Sequence, residues 1–351
     1  MKKLKRLMIC ICLLNALFLC FTIPCNAATG FAGFAIFRDG AFWGTTWHAG
    51  MMGEDHPVNA NPVVHAGQSN STVIIDSWDN FLDNNTFQGF YYPSNVIPSS
   101  NDRDTMLLVA SFLTLESILY TPIRQIDYID TSEEYVQFDE ITMMRCDGVV
   151  EYCFEALNYR ICGSYDYWNI TKRGAQNKAE HSYATVTPKK QAQNHMVKWI
   201  PDNNVVYVVN KRTGKALDVR GPSSLDGSLI QQWSYQGLSN QKFFVAHTTS
   251  SGNDFYSFRP QNATSSAVEV QNNSSVYGTP LQIWTIPTGG YLNSQRFRFE
   301  QNSDGSYKIL TCGSNYLKAI EVPPTSTNNG EVIRINTDNG TDWQRWFFVP
   351  V

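Results

Sequence analysis

The second half of the chain repeats itself three times. Leu217-Asp218-Val219, Val268-Glu269-Val270 and Ile320-Glu321-Val322 recur with their acidic centres 51 and 52 residues apart. A glycine turn and an aliphatic-rich strand follow each triplet: Gly227 to Trp233, Gly278 to Trp284, Gly330 to Asn336. Each unit then closes on Gln-x-aromatic: Gln241-Lys242-Phe243, Gln295-Arg296-Phe297, Gln344-Arg345-Trp346. Such a unit reads as all β and cannot bury its apolar face alone. Three copies therefore point to threefold closure around one core.

The first half has another character. Between Ala28 and His195 acidic residues outnumber basic ones by about two to one, whereas from Met196 onward the balance is slightly basic. Neither half carries a basic patch of the kind that binds nucleic acid. The boundary is expected near His195, giving domains 28–195 and 196–351. Before them, residues 1–27 read as a secretory signal. Lys2, Lys3, Lys5 and Arg6 form a basic start, Leu7 to Ile23 an apolar run, and Cys25-Asn26-Ala27 offers small residues for cleavage. Asn15 and Pro24 interrupt the run, so cleavage is favoured over anchoring, and no later stretch is long and apolar enough to span a membrane. The expected product is secreted, with no transmembrane anchor. Of eight cysteines, four remain after cleavage: Cys146, Cys153, Cys162 and Cys312. They are too few for a disulfide scaffold, so a hydrophobic core must carry stability. Several Asn-x-Ser/Thr sequons, such as Asn84-Asn85-Thr86, matter only where exported proteins are glycosylated.

Within the first domain, Thr45 to Met51 alternates as a strand, with Thr46 and His48 on one face and Trp47 and Met51 on the other. Val63 to Ala66 and Thr72 to Ile75 read as two further short strands. Short connections imply an antiparallel meander that sets His48 and His65 on neighbouring strands. Asn101 begins an amphipathic helix carrying Met106, Leu107, Ala110, Leu113, Leu115 and Ile118, expected to stop at Thr121-Pro122. A second helix begins at Cys146. Cys146, Val149, Val150, Cys153, Phe154 and Leu157 share its apolar face, and Asp147, Glu151 and Glu155 read as its solvated face. The layout is α+β.

A cysteine at a helix N-terminus meets unpaired N–H groups and the positive end of the helix dipole, both of which favour the thiolate. With a histidine base and a polar orienting group it forms a generalised triad: Cys146 nucleophile, His48 base. His56, His181, His195 and His247 are expected to be solvated, and Tyr165 to Gln193 to finish the first domain and continue as linker. Cys153 can sit in the core or bond Cys162. The histidines lack compact metal-ligand spacing, so neither a metal nor a cofactor is expected.

Arg145-Cys146-Asp147-Gly148-Val149-Val150 resembles the Asp-Cys-Ser-Gly-Leu-Val signature of the NlpC-type papain-like cysteine peptidases. His48-Ala49-Gly50-Met51 and Val64-His65-Ala66 resemble that family's two histidine strands. Both histidines precede the cysteine here, as in the circularly permuted branch, and a triad is defined by geometry, not chain order. The resemblance spans roughly residues 34–162 and implies a papain-like α+β fold with Cys146 as nucleophile, His48 as base and His65 orienting it. Two departures stand out: Asp147 replaces a serine, and in Leu119-Tyr120-Thr121-Pro122-Ile123 the isoleucine replaces the tyrosine that lines the family's site. The threefold half, about 204–351, resembles the ricin B-type β-trefoil lectins. That resemblance implies a sugar site in the first repeat: Asp218 accepting hydroxyl bonds, Trp233 stacking on a sugar face, Asn240 bonding a hydroxyl, and Gln231 and Gln241 in support. The second repeat has Glu269, Gln282 and Trp284 but Ser294 for asparagine. The third has Asn336 and Trp343 where tryptophan and asparagine belong. Together these readings imply a secreted thiol amidase or peptidase targeted by a carbohydrate-binding trefoil, with cell-wall glycan and a peptide or amide as partners. The alternatives are a thiol acyltransferase or deamidase acting on a glycoprotein, and a non-enzymatic lectin with a decayed first domain.

Overall fold

The computed structural model describes residues 28–41, 46–67, 72–94, 96–250 and 252–351. The expected signal segment and Thr45, the expected start of the first histidine strand, lie outside the described residues. The chain folds as two units that share a packed boundary.

The first unit is built on a six-stranded sheet of order β4-β3-β2-β1-β5-β9. Its strands are β1 (Ala35–Gly40), β2 (Thr46–Met52), β3 (Val63–Ala66), β4 (Val73–Asp76), β5 (Phe87–Pro93) and β9 (Met196–Lys198). Every neighbouring pair is antiparallel, which puts the expected meander in place. β9 keeps the chain in this sheet through Lys198, a few residues past the boundary expected at His195. A short helix, α1 (Trp78–Leu82), follows β4, and Ser77 caps it by accepting from Asn80 N. Next comes α2 (Ser100–Leu115), capped by Ser99, which accepts from Asp102 N. It stops at Leu115, short of the expected Thr121-Pro122, because Glu116 turns extended (φ −85°, ψ 147°). The chain needs that turn: Leu119–Tyr120 (β6) pairs in parallel with β8 (Ile141–Met144), whose other edge takes β7 (Ile126–Tyr128).

The cysteine helix, α3 (Cys146–Glu155), follows β8 directly and is buried along its whole length. Its apolar face joins Ala49, Met51, Val64 and Ala66 of the sheet and Met106, Ala110 and Leu113 of α2 in one core. Asp147, Glu151 and Glu155, expected to be solvated, are buried too. The cause is a second layer, the segment from Ile161 through α4 (Ala175–Glu180) to α5 (Pro188–His195), which covers them. That segment is therefore body, not linker, and the true connection is short, Trp199 to Asn204. Gly148 makes the tight fit possible: a Cβ there would sit 1.9 Å from the Gln125 carbonyl oxygen.

The second unit contains β10 (Val205–Asn210), β11 (Ala216–Val219), β12 (Ile230–Trp233), β13 (Phe243–Ser250), β14 (Asn253–Pro260), β15 (Ser266–Val270), β16 (Leu281–Thr285), β17 (Phe297–Gln301), β18 (Tyr307–Thr311), β19 (Lys318–Glu321), β20 (Arg334–Thr337) and β21 (Trp346–Pro350). Strands β10, β13, β14, β17, β18 and β21 pair each with the next, and β21 returns to β10, closing a barrel. The hairpins β11–β12, β15–β16 and β19–β20 cap it. Glycine holds the cap together. Gly227, Gly278 and Gly330 all have φ between 82° and 88°, a region that favours glycine. Their N–H groups donate to Ile283, Ile335 and Gln232, each in the next hairpin around the ring. The repeated Gln-x-aromatic pairs are structural. Phe243, Phe297 and Trp346 are fully buried, and each glutamine bonds both ends of the loop before it, as Gln241 does with Gln236 N (2.7 Å) and Ser234 O (3.0 Å).

A third apolar cluster lies between the units. Phe31, Phe34, Ile36, Trp78, Phe81, Phe87 and Phe90 pack against Tyr207, Val209, Phe347 and Val349. Trp78 Nε1 donates to Asp304 O (3.0 Å) and Tyr207 Oη to Asp55 (3.0 Å).

Candidate functional site

Two of the three expected catalytic residues meet. His48 on β2 and His65 on β3 face each other, with Nε2 of the first 2.8 Å from Nδ1 of the second. Their rings stand edge to face at 5.0 Å and rest on Phe81 of α1. Strand alternation puts both on the sheet face that carries Phe81, while Ala49 and Met51 point to α3. Cys146 is the first residue of α3, and Arg145 precedes it in extended conformation. Cys146 and His48 line one narrow crevice with Ala41, Thr46, Trp47, Tyr120, Arg145, Tyr183 and Pro188. The thiol engages the backbone of β2 at Ala49.

Electrostatics set the resting state. Burial pushes the Cys146 thiol up to about 12, and the Asp147 carboxylate adds to this. Arg145 and hydrogen bonds from the backbone at Ala49 and Asp147 pull the other way and are outweighed. The expectation of a thiolate favoured by the helix terminus is thus corrected: desolvation dominates and the thiol is neutral. Burial also lowers His48 well below the usual histidine value, helped by His65 and Arg38. His65 is lowered to about 4, again by burial, against the pull of Asp76. Each of these shifts favours the uncharged form of its group.

Asp147 is buried but paired. Arg145 Nε and Nη2 grip its two carboxylate oxygens at 2.6 and 2.8 Å, both side chains being buried. Arg145 also donates to Val186 O (2.6 Å) and lies over the Tyr183 ring at 5.3 Å. Ile123 is 65% exposed, whereas Tyr120, three residues earlier, lines the crevice. Behind the helix, Glu151 accepts from Gln125 (2.7 Å) and Gln191 (2.9 Å), with His181 Nε2 at 3.6 Å. His181 is fully buried, not solvated as expected. His56 and His247 are partly covered, near Asp55 and between Asp202 and Asp254 respectively. Cys153 and Cys162 are free thiols, and Cys162 Sγ points at Glu151 (3.7 Å).

In the first repeat of the second unit two side-chain amides hold the acidic centre. Asp218 Oδ1 accepts from Gln231 Nε2 (2.8 Å) and Oδ2 from Asn240 Nδ2 (2.9 Å). Asn240 Nδ2 also donates to Val219 O, and among the described residues its buried Oδ1 has no hydrogen-bond partner. Trp233 is half-buried at the rim. Glu269 holds a similar pair, Gln282 Nε2 (2.8 Å) and Ser294 Oγ (2.9 Å), beside exposed Trp284. Glu321 differs: Arg334 Nε, Asn336 Nδ2 to both carboxylate oxygens, and Gln344 Nε2 donate to it between 2.9 and 3.1 Å. A carboxylate has about four acceptor sites, so that one is saturated.

Residues 193–284 match the family model described as ricin-type beta-trefoil lectin domain-like. The C-terminal domain is a ricin B-type β-trefoil. Solved structures similar to the chain include the designed threefold-symmetric protein ThreeFoil (28% identity, 42% of this chain and 99% of that one, TM-score 0.38). An exo-β-1,3-galactanase from Clostridium thermocellum also matches (28% identity, 46% of this chain and 33% of that one, TM-score 0.38). So does the Macrolepiota procera ricin B-like lectin, solved with lactose (13% identity, 44% of this chain and 100% of that one, TM-score 0.36). No curated protein matches the chain. In the ricin B-type domain, sequence reasoning missed Arg220, whose Nε donates to Gln231 (2.9 Å) and orients it toward Asp218. In the first unit it missed Arg145, Tyr120, Tyr183 and Asp76. Only Arg145, next to the cysteine, carried a local signal.

Proposed function

We propose that this chain is an exported thiol-dependent amidase or peptidase brought to its substrate by a carbohydrate-binding trefoil. One observation supports the catalytic half above others: His48, in contact with His65, lines one crevice with a cysteine at a helix N-terminus. In this reading His48 takes the Cys146 proton as the sulfur attacks an amide carbonyl, and His65 holds the imidazole. The substrate class is a peptide or amide close to glycan, with bacterial cell wall first. The test is mass spectrometry of muropeptides after incubation with parent and Cys146→Ala protein. The parent is expected to cleave and the variant to be inert; cleavage by the variant would end the thiol mechanism.

The targeting half rests on Asp218, Gln231, Trp233 and Asn240, which the trefoil brings together in the first repeat alone, with Gln241 closing the adjoining loop. Asp218→Ala removes a charged acceptor from sugar hydroxyls, a loss of roughly 1.5–3 kcal/mol, or about one to two powers of ten in affinity. A glycan array with multivalent protein, then calorimetry, measures this. Equal loss from Glu321→Ala would misplace the site. A second reading, a carbohydrate-binding protein without catalysis, is favoured by one feature: a thiol pushed up to about 12 by burial. A parent protein that binds glycan and cleaves nothing supports it.

A further inference from the structure

The two-histidine pair continues to a third group on the next strand. His65 pairs with Ile74 across β3 and β4, which puts Asp76 diagonally beside it on the same face. Asp76 Oδ2 lies 3.5 Å from His65 Nε2. Among the described residues that buried nitrogen has no hydrogen-bond partner, so the carboxylate is the acceptor within reach. Asp76 is itself oriented. Its Oδ1 accepts from Ser77 N (2.8 Å) and Asn80 Nδ2 (2.7 Å), which turns Oδ2 toward the imidazole.

We propose that Asp76 is a positioning residue that sets the tautomers of both histidines and so makes His48 a base. This rests on the thiol reading above. A carboxylate facing His65 Nε2 keeps the proton there, leaving Nδ1 as a bare acceptor. His48 Nε2 then donates to that acceptor across the 2.8 Å contact, and the lone pair of His48 is left on Nδ1. When the sulfur adds to an amide carbonyl, a C–S bond forms as the carbonyl π pair moves to oxygen, the S–H bond breaks and an N–H bond forms at His48 Nδ1. As the C–N bond then breaks, that proton leaves on the departing amine. Until then the imidazolium keeps its Nε2–H on His65, and Asp76 balances the new positive charge two rings away. Arg38 from β1 faces the same pair and opposes that charge, which makes the carboxylate the favourable charge on this side. Register alone puts it there; no motif marks it.

The test is histidine nitrogen NMR on full-length protein labelled with ¹⁵N-histidine, parent against Asp76→Asn. The parent is expected to show both His48 and His65 protonated on Nε2. In the variant the amide keeps its oxygen on Ser77 N and turns its NH2 toward His65, so the proton moves to His65 Nδ1 and then to His48 Nδ1. Alkylation of Cys146 by iodoacetamide should fall by roughly a hundredfold or more, the size of a lost general base. A parent His65 protonated on Nδ1, or tautomers unchanged in Asp76→Asn, overturns the assignment. Should the variant not fold, the parent spectrum decides by itself. If the tautomers behave as stated while Cys146→Ala still cleaves muropeptides, the thiol reading fails and the role of Asp76 in orienting the pair stands.

Discussion

Cys146 sits between a buried arginine and a buried aspartate that hold each other, and this explains how an acidic residue tolerates burial beside the cysteine. The histidines carry a different cost. His65 has its value lowered to about 4 by burial, so the folded protein binds its proton less readily than the unfolded chain does. Its contribution to stability is complete above the unfolded value of about 6.5 and is lost as pH falls toward 4. Urea denaturation at pH 7 and pH 4.5 should therefore show an acid loss in the parent that His65→Gln reduces by about 2–3 kcal/mol. Identical pH dependence in both would mean that His65 is protonated as easily folded as unfolded. At this scale the sequence was legible where contacts follow local pattern: the two histidines on neighbouring strands, and Asp218 beside its amides. Asp76 was not, because only strand register brings it to His65. The thiol's direction was misread because a helix terminus is visible in sequence and the layer that dries it is not.

The elements of the first unit were easier to place than their ends and faces. β3 runs from Val63 to Ala66 and α3 starts at Cys146, as periodicity implies. The polar stripe of α3 shows where periodicity stops informing. Acidic residues on one side of a helix ordinarily mean solvent, yet Glu155 accepts from the backbone N–H groups of Ile161 and Ile170 (3.0 and 2.8 Å). Glu151 likewise collects Gln125 and Gln191. These carboxylates pin the segment that a polar composition suggested was linker. Burial opposes ionisation of Glu151, but His181 and the two amides outweigh it and lower its value, while the same pair raises His181. Glu151→Ala leaves those donors and a buried histidine unpaired, so it should cost roughly 3–5 kcal/mol, read from the denaturation midpoint. A cost below about 1 kcal/mol, the range of an exposed pair, would show that the second layer does not depend on this carboxylate.

Across the whole molecule the threefold half was the more legible, since each repeat carries the same turn glycine, triplet and closing glutamine, and the barrel ring follows from repeating one unit. How the two units meet was not legible. The aromatic residues of the boundary are spread from Phe31 to Phe347 and look in sequence like parts of two separate cores. Trp78 is central: it lies 5.0 Å from Phe87 and 6.5 Å from Phe347, ring to ring, and bonds Asp304 across the boundary. Gly305 adds to the fit, since a Cβ there would lie 2.5 Å from the Phe87 ring. A boundary so apolar should couple the units, so calorimetry of the parent is expected to show one transition. Trp78→Ala removes a buried aromatic ring and opens a cavity on the first unit's side, a loss of about 3–5 kcal/mol. Because that loss falls on one unit and on their contact, the trefoil should then melt separately, at the temperature of a 199–351 fragment. Glycan affinity should be unchanged, since Asp218, Gln231 and Asn240 are held by bonds within the trefoil. Two transitions already present in the parent, one at the fragment's temperature, would mean that the apolar boundary does not bind the units into one cooperative body.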